Sequence, residues 1–125
     1  MNLQGTGTAL VTPFKKNLAV DEKTLRNLIE WQIKNKIEFL VPCGSTGEAA
    51  TLTRGERRRI IEIVLDQTNG RIPVVAGTGT NSTSDSILLT KDAHDAGAKY
   101  VLLVGPYYNK PPQSGYFQHF RKIAE

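Results

Sequence analysis

The chain has 125 residues, 39% of them hydrophobic, and its 16 basic and 12 acidic side chains give a formal net charge of +4. This length suffices for one domain with a hydrophobic core, and the composition argues against a disordered chain or a membrane-spanning one. The single cysteine, Cys43, excludes an internal disulfide, and residues 1–5 lack the basic-then-apolar pattern of a secretory signal. We therefore predict a cytoplasmic protein without membrane association.

Short apolar runs alternate with amphipathic patterns four times along the chain. The runs predict buried strands at 9–11, 39–43, 74–76 and 100–104. Asp21 is placed to cap the first helix, and Thr53 with Glu56 forms a capping-box pattern at the start of the second. A polar stretch, 80–85, leads into a third helix that ends near Gly97, and a fourth helix begins near Tyr116.

This strand–helix alternation predicts an α/β fold with a parallel sheet. The loops that follow the strands are rich in Gly, Thr, Ser, Asn and Tyr, whereas the loops that precede them are short and plain. Functional residues after every strand are typical of a (β/α)8 TIM barrel, while an open doubly wound sheet concentrates them at one switch point. Because such barrels need about 250 residues, the chain is predicted to be the N-terminal half of one barrel domain, residues 1–125, with four βα units.

The segment 44–48, G-S-T-G-E, is the first candidate site. The hydroxyls and N–H groups of Ser45 and Thr46 suit a carboxylate or a phosphate at the end of the second strand. An ordinary strand-to-helix turn explains the same composition equally well. Glu48 is predicted to satisfy loop N–H groups rather than to act as a base.

Other reactive residue types show weaker patterns. Tyr107 and Tyr108 lie on a proline-bounded loop at the same predicted face, and a tyrosine can relay protons. Cys43 is predicted to be a buried apolar residue, and His94 and His119 to have surface or packing roles. No spacing resembles a metal site. No lysine lies in a predicted strand run, so the chain offers no Schiff-base candidate.

The cluster 57–59, R-R-R, is the only tight basic cluster. It lies in a helical pattern between Glu56 and Glu62, which predicts a solvated helix face. A phosphate-binding or nucleic-acid-binding protein is an alternative that depends on the basic balance alone, and we predict no nucleic-acid partner.

Three motifs in register resemble one family. They are G-S-T-G-E-A-x-x-L-T from Gly44, R-I-P-V-V-A-G-T-G from Arg71 and P-Y-Y-N-K-P from Pro106. Together they are similar to the N-terminal half of the dihydrodipicolinate synthase/N-acetylneuraminate lyase family. The resemblance implies (β/α)8 barrels that are usually homotetramers, in which a lysine on the sixth strand, beyond Glu125, forms a Schiff base with pyruvate. It implies no cofactor.

The resemblance also implies roles for single residues. Thr46 would bind the pyruvate carboxylate, Ser45 would bind it and relay protons, and Tyr108 would be the relay tyrosine that reaches a neighbouring subunit's site. A lysine-inhibition site would lie near Ala50, Arg54, Asn81, Asp85 and Tyr107, with Ala49 and Arg57 beside it. Arginine at 54 and 57, where sensitive members have histidine, would repel a cationic lysine.

The implied activity is a synthase that condenses pyruvate with L-aspartate 4-semialdehyde in lysine biosynthesis. Another pyruvate-dependent aldolase of the family, of the N-acetylneuraminate lyase or 2-keto-3-deoxygluconate aldolase type, is an alternative. A further alternative is a non-catalytic half-barrel fragment, whose open strand edges would invite pairing with a second copy. Without the sixth-strand lysine, the 125-residue chain alone is expected to be inactive.

Overall fold

The computed structural model describes residues 3–125, so Met1 and Asn2 of the predicted domain lie outside the described residues. Its strands are β1 (Gly7–Ala9), β2 (Phe39–Val41), β3 (Val75–Gly77) and β4 (Tyr100–Leu102). β1 pairs with β2 and β3 with β4, both in parallel, and a parallel bridge between Leu40 and Val74 joins the two pairs. The four strands thus lie side by side in chain order.

Chain order in the sheet decides between the two predicted architectures. An open doubly wound sheet reverses its strand order at a switch point, whereas a (β/α)8 barrel adds each strand beside the previous one. The helices follow the same order, with α1 (Glu22–Lys34) against α2 (Arg54–Thr68), then α3 (Thr83–Asp95), then α4 (Gln113–Ala124). The structure is therefore four βα units of a barrel, as the sequence predicts.

The helix ends follow the local signals closely. Asp21 accepts a hydrogen bond from the Thr24 N–H at 3.1 Å. At the start of α2, the Thr53 N–H donates to the Glu56 carboxylate at 2.8 Å, and the Glu56 N–H donates back to the Thr53 hydroxyl at 3.3 Å. α4 begins three residues before the predicted Tyr116, because Pro112 at the N-cap has the φ that a helix start accepts.

The strands are shorter than the apolar runs that predict them, and β1 lies at 7–9 rather than 9–11. Apolar composition reports burial, whereas a strand is defined by its backbone ladder. Isolated ladder bonds extend the pairing: the Leu10 N–H donates to the Val41 carbonyl at 3.0 Å, and the Gly77 N–H donates to the Pro42 carbonyl at 2.9 Å.

The core lies between the strands and the inner faces of the helices. Its largest fully buried aliphatic side chains share this layer: Leu25, Ile29, Leu40, Ile60, Ile63 and Val64. Trp31, which the helical periodicity places off the apolar stripe of α1, is 58% exposed. Among residues 3–125, no helix has the length and apolar content needed to cross a bilayer.

Ion pairs link the outer surface of α1 to α2 and to the turn that follows α2. Arg26 contacts Asp66 at 2.7 Å, Arg59 contacts Glu22 at 2.7 Å, and Arg71 contacts Glu30. The prediction of a solvated basic face is confirmed for Arg59 and for Arg58, which pairs with Glu62 at 3.0 Å. It is wrong for the first arginine of the cluster, whose place in the site is described below.

Candidate functional site

The glycine loop, residues 44–51, connects β2 to α2 through two short 3₁₀ turns, Ser45–Gly47 and Ala49–Thr51. Inside the loop, the Gly47 N–H donates to the Gly44 carbonyl at 3.0 Å, and the Glu48 N–H donates to the Ser45 carbonyl at 3.0 Å. Ser45 and Thr46 are exposed at the first turn. Their N–H groups are outside the loop's own hydrogen bonds, so both residues present a hydroxyl and an amide to a ligand.

Neighbouring elements fix this loop from two sides. The buried Thr12 hydroxyl, just after β1, donates to the Gly47 carbonyl at 2.8 Å. From α2, the Arg57 Nε donates to the Ala49 carbonyl at 3.0 Å, and its Nη2 donates to the same oxygen. The loop therefore has its backbone tied to β1 and α2 while its hydroxyls remain accessible, which is the preorganisation a binding loop needs.

Gly77, at the end of β3, allows the backbone of β3 to lie close to Cys43, just before the glycine loop. A Cβ atom at Gly77 would lie 2.1 Å from the Cys43 carbonyl oxygen, a distance that no side chain can occupy. Cys43 itself is 3% exposed with a φ of 57°. Burial raises the pKa of its thiol to about 12, so it stays protonated at neutral pH, in agreement with the predicted apolar role.

A cavity of about 330 Å³ opens beside the loop, at the carboxyl ends of β2, β3 and β4. It brings together predicted site residues from separate segments: Ser45, Ala50 and Tyr107. Thr46 and Tyr108 are not among its lining residues. Tyr108 is 92% exposed with a φ of 68° and projects from the loop after β4, so the structure separates the two neighbouring tyrosines.

The comparisons with known proteins agree along the whole chain. The model of the Dihydrodipicolinate synthetase family matches residues 2–125. The chain belongs to this family. The 4-hydroxy-tetrahydrodipicolinate synthase of Pelobacter propionicus is 55% identical over 122 residues, which are 98% of this chain and 42% of that protein. The chain thus spans less than half the length of the curated relatives that it matches.

Solved structures of the family superpose closely. The chloride-inhibited dihydrodipicolinate synthase of Acinetobacter baumannii, in complex with pyruvate, has a TM-score of 0.96 and 48% identity over 98% of this chain and 42% of that one. The enzyme of Aquifex aeolicus has a TM-score of 0.94 and 45% identity over 98% of this chain and 41% of that one. The likeness to these enzymes confirms the barrel fold.

The contacts of Glu48, His94 and His119 can be compared with their predicted roles. Glu48 adopts a left-handed backbone conformation, and its carbonyl accepts from the Thr51 N–H at 2.9 Å. The N–H groups of Gly47, Glu48 and Thr51 donate to backbone carbonyls. The Glu48 carboxylate therefore does not satisfy them, contrary to the prediction from sequence. His94 is exposed, and His119 packs between helices with its Nδ1 2.9 Å from the Thr83 hydroxyl, as expected.

The residues of the predicted lysine-inhibition site divide between two cavities. Ala50 and Tyr107 line the 330 Å³ cavity, whereas Arg54 and Asp85 line a second one of about 220 Å³. Asn81 lines neither cavity, and its carbonyl accepts from the Asn109 amide at 3.4 Å. The structure does not gather the five residues around one space within this chain.

The guanidinium of Arg54 forms an ion pair with Asp92. Its Nη2 contacts Asp92 at 2.8 Å in a two-pronged pair, and this guanidinium lowers the pKa of the buried Asp92 carboxyl. The predicted repulsion of lysine was assigned to two arginines, and one of them has its charge compensated by Asp92. Only Arg57 can then supply that repulsion.

Arg57 is the functional candidate that sequence reasoning misplaced. It is 7% exposed and lines both cavities, although the sequence predicted a solvated position. A signal for its burial was present in the helix periodicity: position 57 precedes Ile60, Ile61 and Val64 by three, four and seven residues, so it belongs to the apolar stripe of α2. The three consecutive charges favour a solvated position, whereas the spacing favours a buried one, and the structure follows the spacing.

Metal binding and Schiff-base formation would each require particular residue types. Among residues 3–125, no three His, Cys, Asp or Glu side chains form a group that could hold a metal ion. The four described strands contain no lysine. That a Schiff-base lysine lies outside this chain stays a prediction.

Proposed function

We propose that this chain is the N-terminal half, residues 1–125, of a 4-hydroxy-tetrahydrodipicolinate synthase that condenses pyruvate with L-aspartate 4-semialdehyde. The observation that carries the proposal is the identity of 55% to a synthase of that name over nearly the whole chain. The exposed hydroxyl pair on an anchored loop at the carboxyl end of β2 supports it, because active sites of (β/α)8 barrels form on that face. The single, buried cysteine is in keeping with a cytoplasmic location.

Two residues of the glycine loop would hold pyruvate. The hydroxyls and free N–H groups of Ser45 and Thr46 can donate to both oxygens of its carboxylate without adding a charge that would perturb the reacting carbonyl. Ser45 also lines the cavity that reaches Tyr107. The family resemblance implies that its hydroxyl relays protons as the Schiff base forms and collapses, and its exposure leaves the hydroxyl accessible for that role.

Tyr108 would complete the relay from a neighbouring subunit. Its side chain is 92% exposed and does not line the cavity of its own chain, which leaves the phenol available to a second chain. This arrangement makes the site incomplete in a monomer and favours a homo-oligomer, a tetramer in the full barrel. The nucleophilic lysine would lie on the sixth strand, so the 125-residue chain alone would bind pyruvate without trapping it.

Reductive trapping tests this proposal. A longer protein that contains this chain and the later strands should gain one pyruvate-derived group per chain when treated with pyruvate and sodium borohydride, as read by intact mass. The 125-residue chain should gain none under the same conditions. Absence of labelling in the longer protein, while a known family member is labelled in parallel, would refute the assignment to a pyruvate-dependent lyase.

A substrate panel then separates this synthase from the other aldolases of the family. The longer protein should consume pyruvate with L-aspartate 4-semialdehyde at least tenfold faster than with N-acetylmannosamine or glyceraldehyde, a ratio that needs only about 1.4 kcal/mol of transition-state discrimination. A preference for either sugar would replace the proposed substrate and leave the Schiff-base chemistry intact.

A further inference from the structure

The backbone of the β4–α4 loop, residues 103–112, bends sharply at Tyr108. The Asn109 N–H donates to the Tyr107 carbonyl at 2.9 Å, which closes a three-residue turn with Tyr108 at its centre. Because the φ of Tyr108 is 68°, this is the γ-turn of positive φ, a rare and strained conformation. Such strain persists only where neighbouring contacts hold the backbone, so contacts on either side of Tyr108 are needed to keep the turn in place.

Two hydrogen bonds hold the β4–α4 loop, one on each side of this turn. Before the turn, the hydroxyl of Tyr116, near the start of α4, donates to the Pro106 carbonyl at 3.2 Å. After it, the Asn109 side-chain amide donates to the Asn81 carbonyl at 3.4 Å, at an exposed position. The bond from Tyr116 is shorter and partly buried, so it is the stronger of the two anchors.

Packing fixes the Tyr116 ring as well as its hydroxyl. A Cβ atom at Gly105 would lie 2.6 Å from Cε1 of this ring, so the ring lies directly against the loop backbone. On α4 the ring stacks with Phe120 at a centroid distance of 6.4 Å. His119, next to Phe120, has its Nδ1 2.9 Å from the hydroxyl of Thr83 at the start of α3. Because α4 is tied to α3 in this way, Tyr116 contacts the loop from a fixed support.

The Tyr108 side chain has little packing of its own. Since it is 92% exposed, the direction of its phenol depends on the loop backbone and not on contacts of the ring. The peptide group that Tyr116 holds, between Pro106 and Tyr107, immediately precedes the turn. A displacement of the Pro106 carbonyl would therefore reach the turn and reorient the Tyr108 phenol.

We propose that Tyr116 is a positioning residue for the relay tyrosine. By holding the Pro106 carbonyl, its hydroxyl keeps Tyr108 in the turn that presents the phenol to a neighbouring subunit. This inference rests on the proposed function, in which Tyr108 completes the relay. Tyr116 lies outside the three motifs that carry the family resemblance, so its role follows from the contact alone. Without the hydroxyl the relay should slow, whereas pyruvate binding by Ser45 and Thr46, on another loop, should not change.

Steady-state kinetics of Tyr116→Phe in the longer protein test this role. The substitution removes one oxygen atom and keeps the ring, so we expect kcat with pyruvate and L-aspartate 4-semialdehyde to fall about tenfold and the KM for pyruvate to stay within twofold. Ser114→Ala is the control, because it removes an exposed hydroxyl from the same end of α4 and should leave kcat unchanged. An unchanged kcat in Tyr116→Phe would overturn the proposal.

A double-mutant cycle separates positioning from a merely structural effect. Tyr108→Phe should lower kcat about 10²-fold, as expected for loss of a group that transfers protons. Adding Tyr116→Phe to it should change kcat by less than twofold, because no phenol remains to be positioned. A further tenfold loss in the double variant would refute the inference, since Tyr116 would then act independently of Tyr108. A kcat unaffected by Tyr108→Phe would refute it as well.

Hydrogen–deuterium exchange of the longer protein tests the anchor without reference to turnover. The amides at 107–110 should exchange faster in Tyr116→Phe and at the same rate in Ser114→Ala. Gly105→Ala, whose added methyl group would displace the Tyr116 ring, should reproduce the faster exchange and the lower kcat if Tyr116→Phe does not fold. Borohydride labelling with unchanged loop exchange and kcat would remove this inference alone. Faster loop exchange without labelling of the unsubstituted protein would remove the proposed function and retain Tyr116 as the anchor.

Discussion

The outer helix layer and the carboxyl ends of the strands differ in whether their charged and polar groups have partners within the chain. Where α1 meets α2 and the turn after α2, arginines at positions 26, 59 and 71 each contact a carboxylate. Beside the glycine loop, Ser45 and Thr46 expose unpaired hydroxyls, and the buried Arg57 has no acidic partner. Satisfied groups stabilise the fold, whereas groups left unsatisfied at one face remain available to a ligand.

The largest effect should come from removing a hydroxyl at the carboxyl ends. In the longer protein, we expect Ser45→Ala to lower kcat about 10²–10³-fold, because general acid–base groups contribute on that scale. Steady-state kinetics with pyruvate and L-aspartate 4-semialdehyde measure it. Ser45→Thr should retain activity within a few-fold, since it keeps the hydroxyl and restricts its rotamers.

The control for this variant is Ser114→Ala, at an exposed position in the first turn of α4. It should leave kcat unchanged. Thermal unfolding should be the same for both alanine variants, because neither side chain is buried. Retention of more than half of the activity by Ser45→Ala would show that the exposed hydroxyl is not part of the relay and would weaken the contrast between the two regions.

A smaller effect, on stability, is expected from removing the charge of Asp92, which pairs with Arg54 between α2 and α3. Asp92, buried on α3, accepts two hydrogen bonds from Arg54 on α2. Asp92→Asn keeps the shape of the side chain and removes the charge, so we expect a loss of about 1–2 kcal/mol in the free energy of unfolding. Urea denaturation measures this loss. Asp95→Asn, at an exposed position one turn along α3, should not change the midpoint.

The smallest effect concerns an exposed pair of the outer layer. Hydrogen bonds from Arg71 and then Gln67 lower the pKa of Glu30 from 4.5 to about 2. Because the folded state favours the carboxylate, the contribution of this group to stability is complete above its unfolded pKa. It should diminish as the pH falls from about 4.5 towards about 2.

The measurement is the urea midpoint as a function of pH. Glu30→Gln should reduce the slope between pH 5 and pH 3, while Glu125→Gln, at an exposed pair with Arg121 on α4, serves as the matched control. We expect a small difference, because exposed ion pairs contribute little and are screened by salt. A slope that is unchanged in Glu30→Gln would show that this pair does not stabilise the folded state.

The sequence predicted the architecture well because the relevant signals are local. The alternation of apolar runs with amphipathic patterns identified all four βα units, and the capping box at Thr53 and Glu56 located the start of α2. Composition alone placed the polar loops after the strands rather than before them, which pointed to the barrel. The glycine loop was recognised because its glycines and hydroxyls are contiguous in the chain.

Contacts between distant segments could not be predicted in this way. Arg54 and Asp92 are 38 positions apart, and nothing in either local pattern indicates that they meet. The separation of Tyr107, which lines the cavity, from Tyr108, which is 92% exposed, depends on the backbone of the loop after β4, where Tyr108 has a φ of 68°. Strand lengths also differed from the apolar runs, because the ladder depends on the partner strand and not on the residues of one segment alone.

The sequence by itself thus determined the order and type of the elements, the helix ends and the loop with the candidate hydroxyls, since each is encoded within a few adjacent residues. Only the tertiary structure decided which charges are compensated. Three consecutive arginines look alike in the chain, yet folding pairs two of them with acids on the surface and buries Arg57 beside a cavity. That outcome depends on which groups α2, β4 and the glycine loop bring together in space.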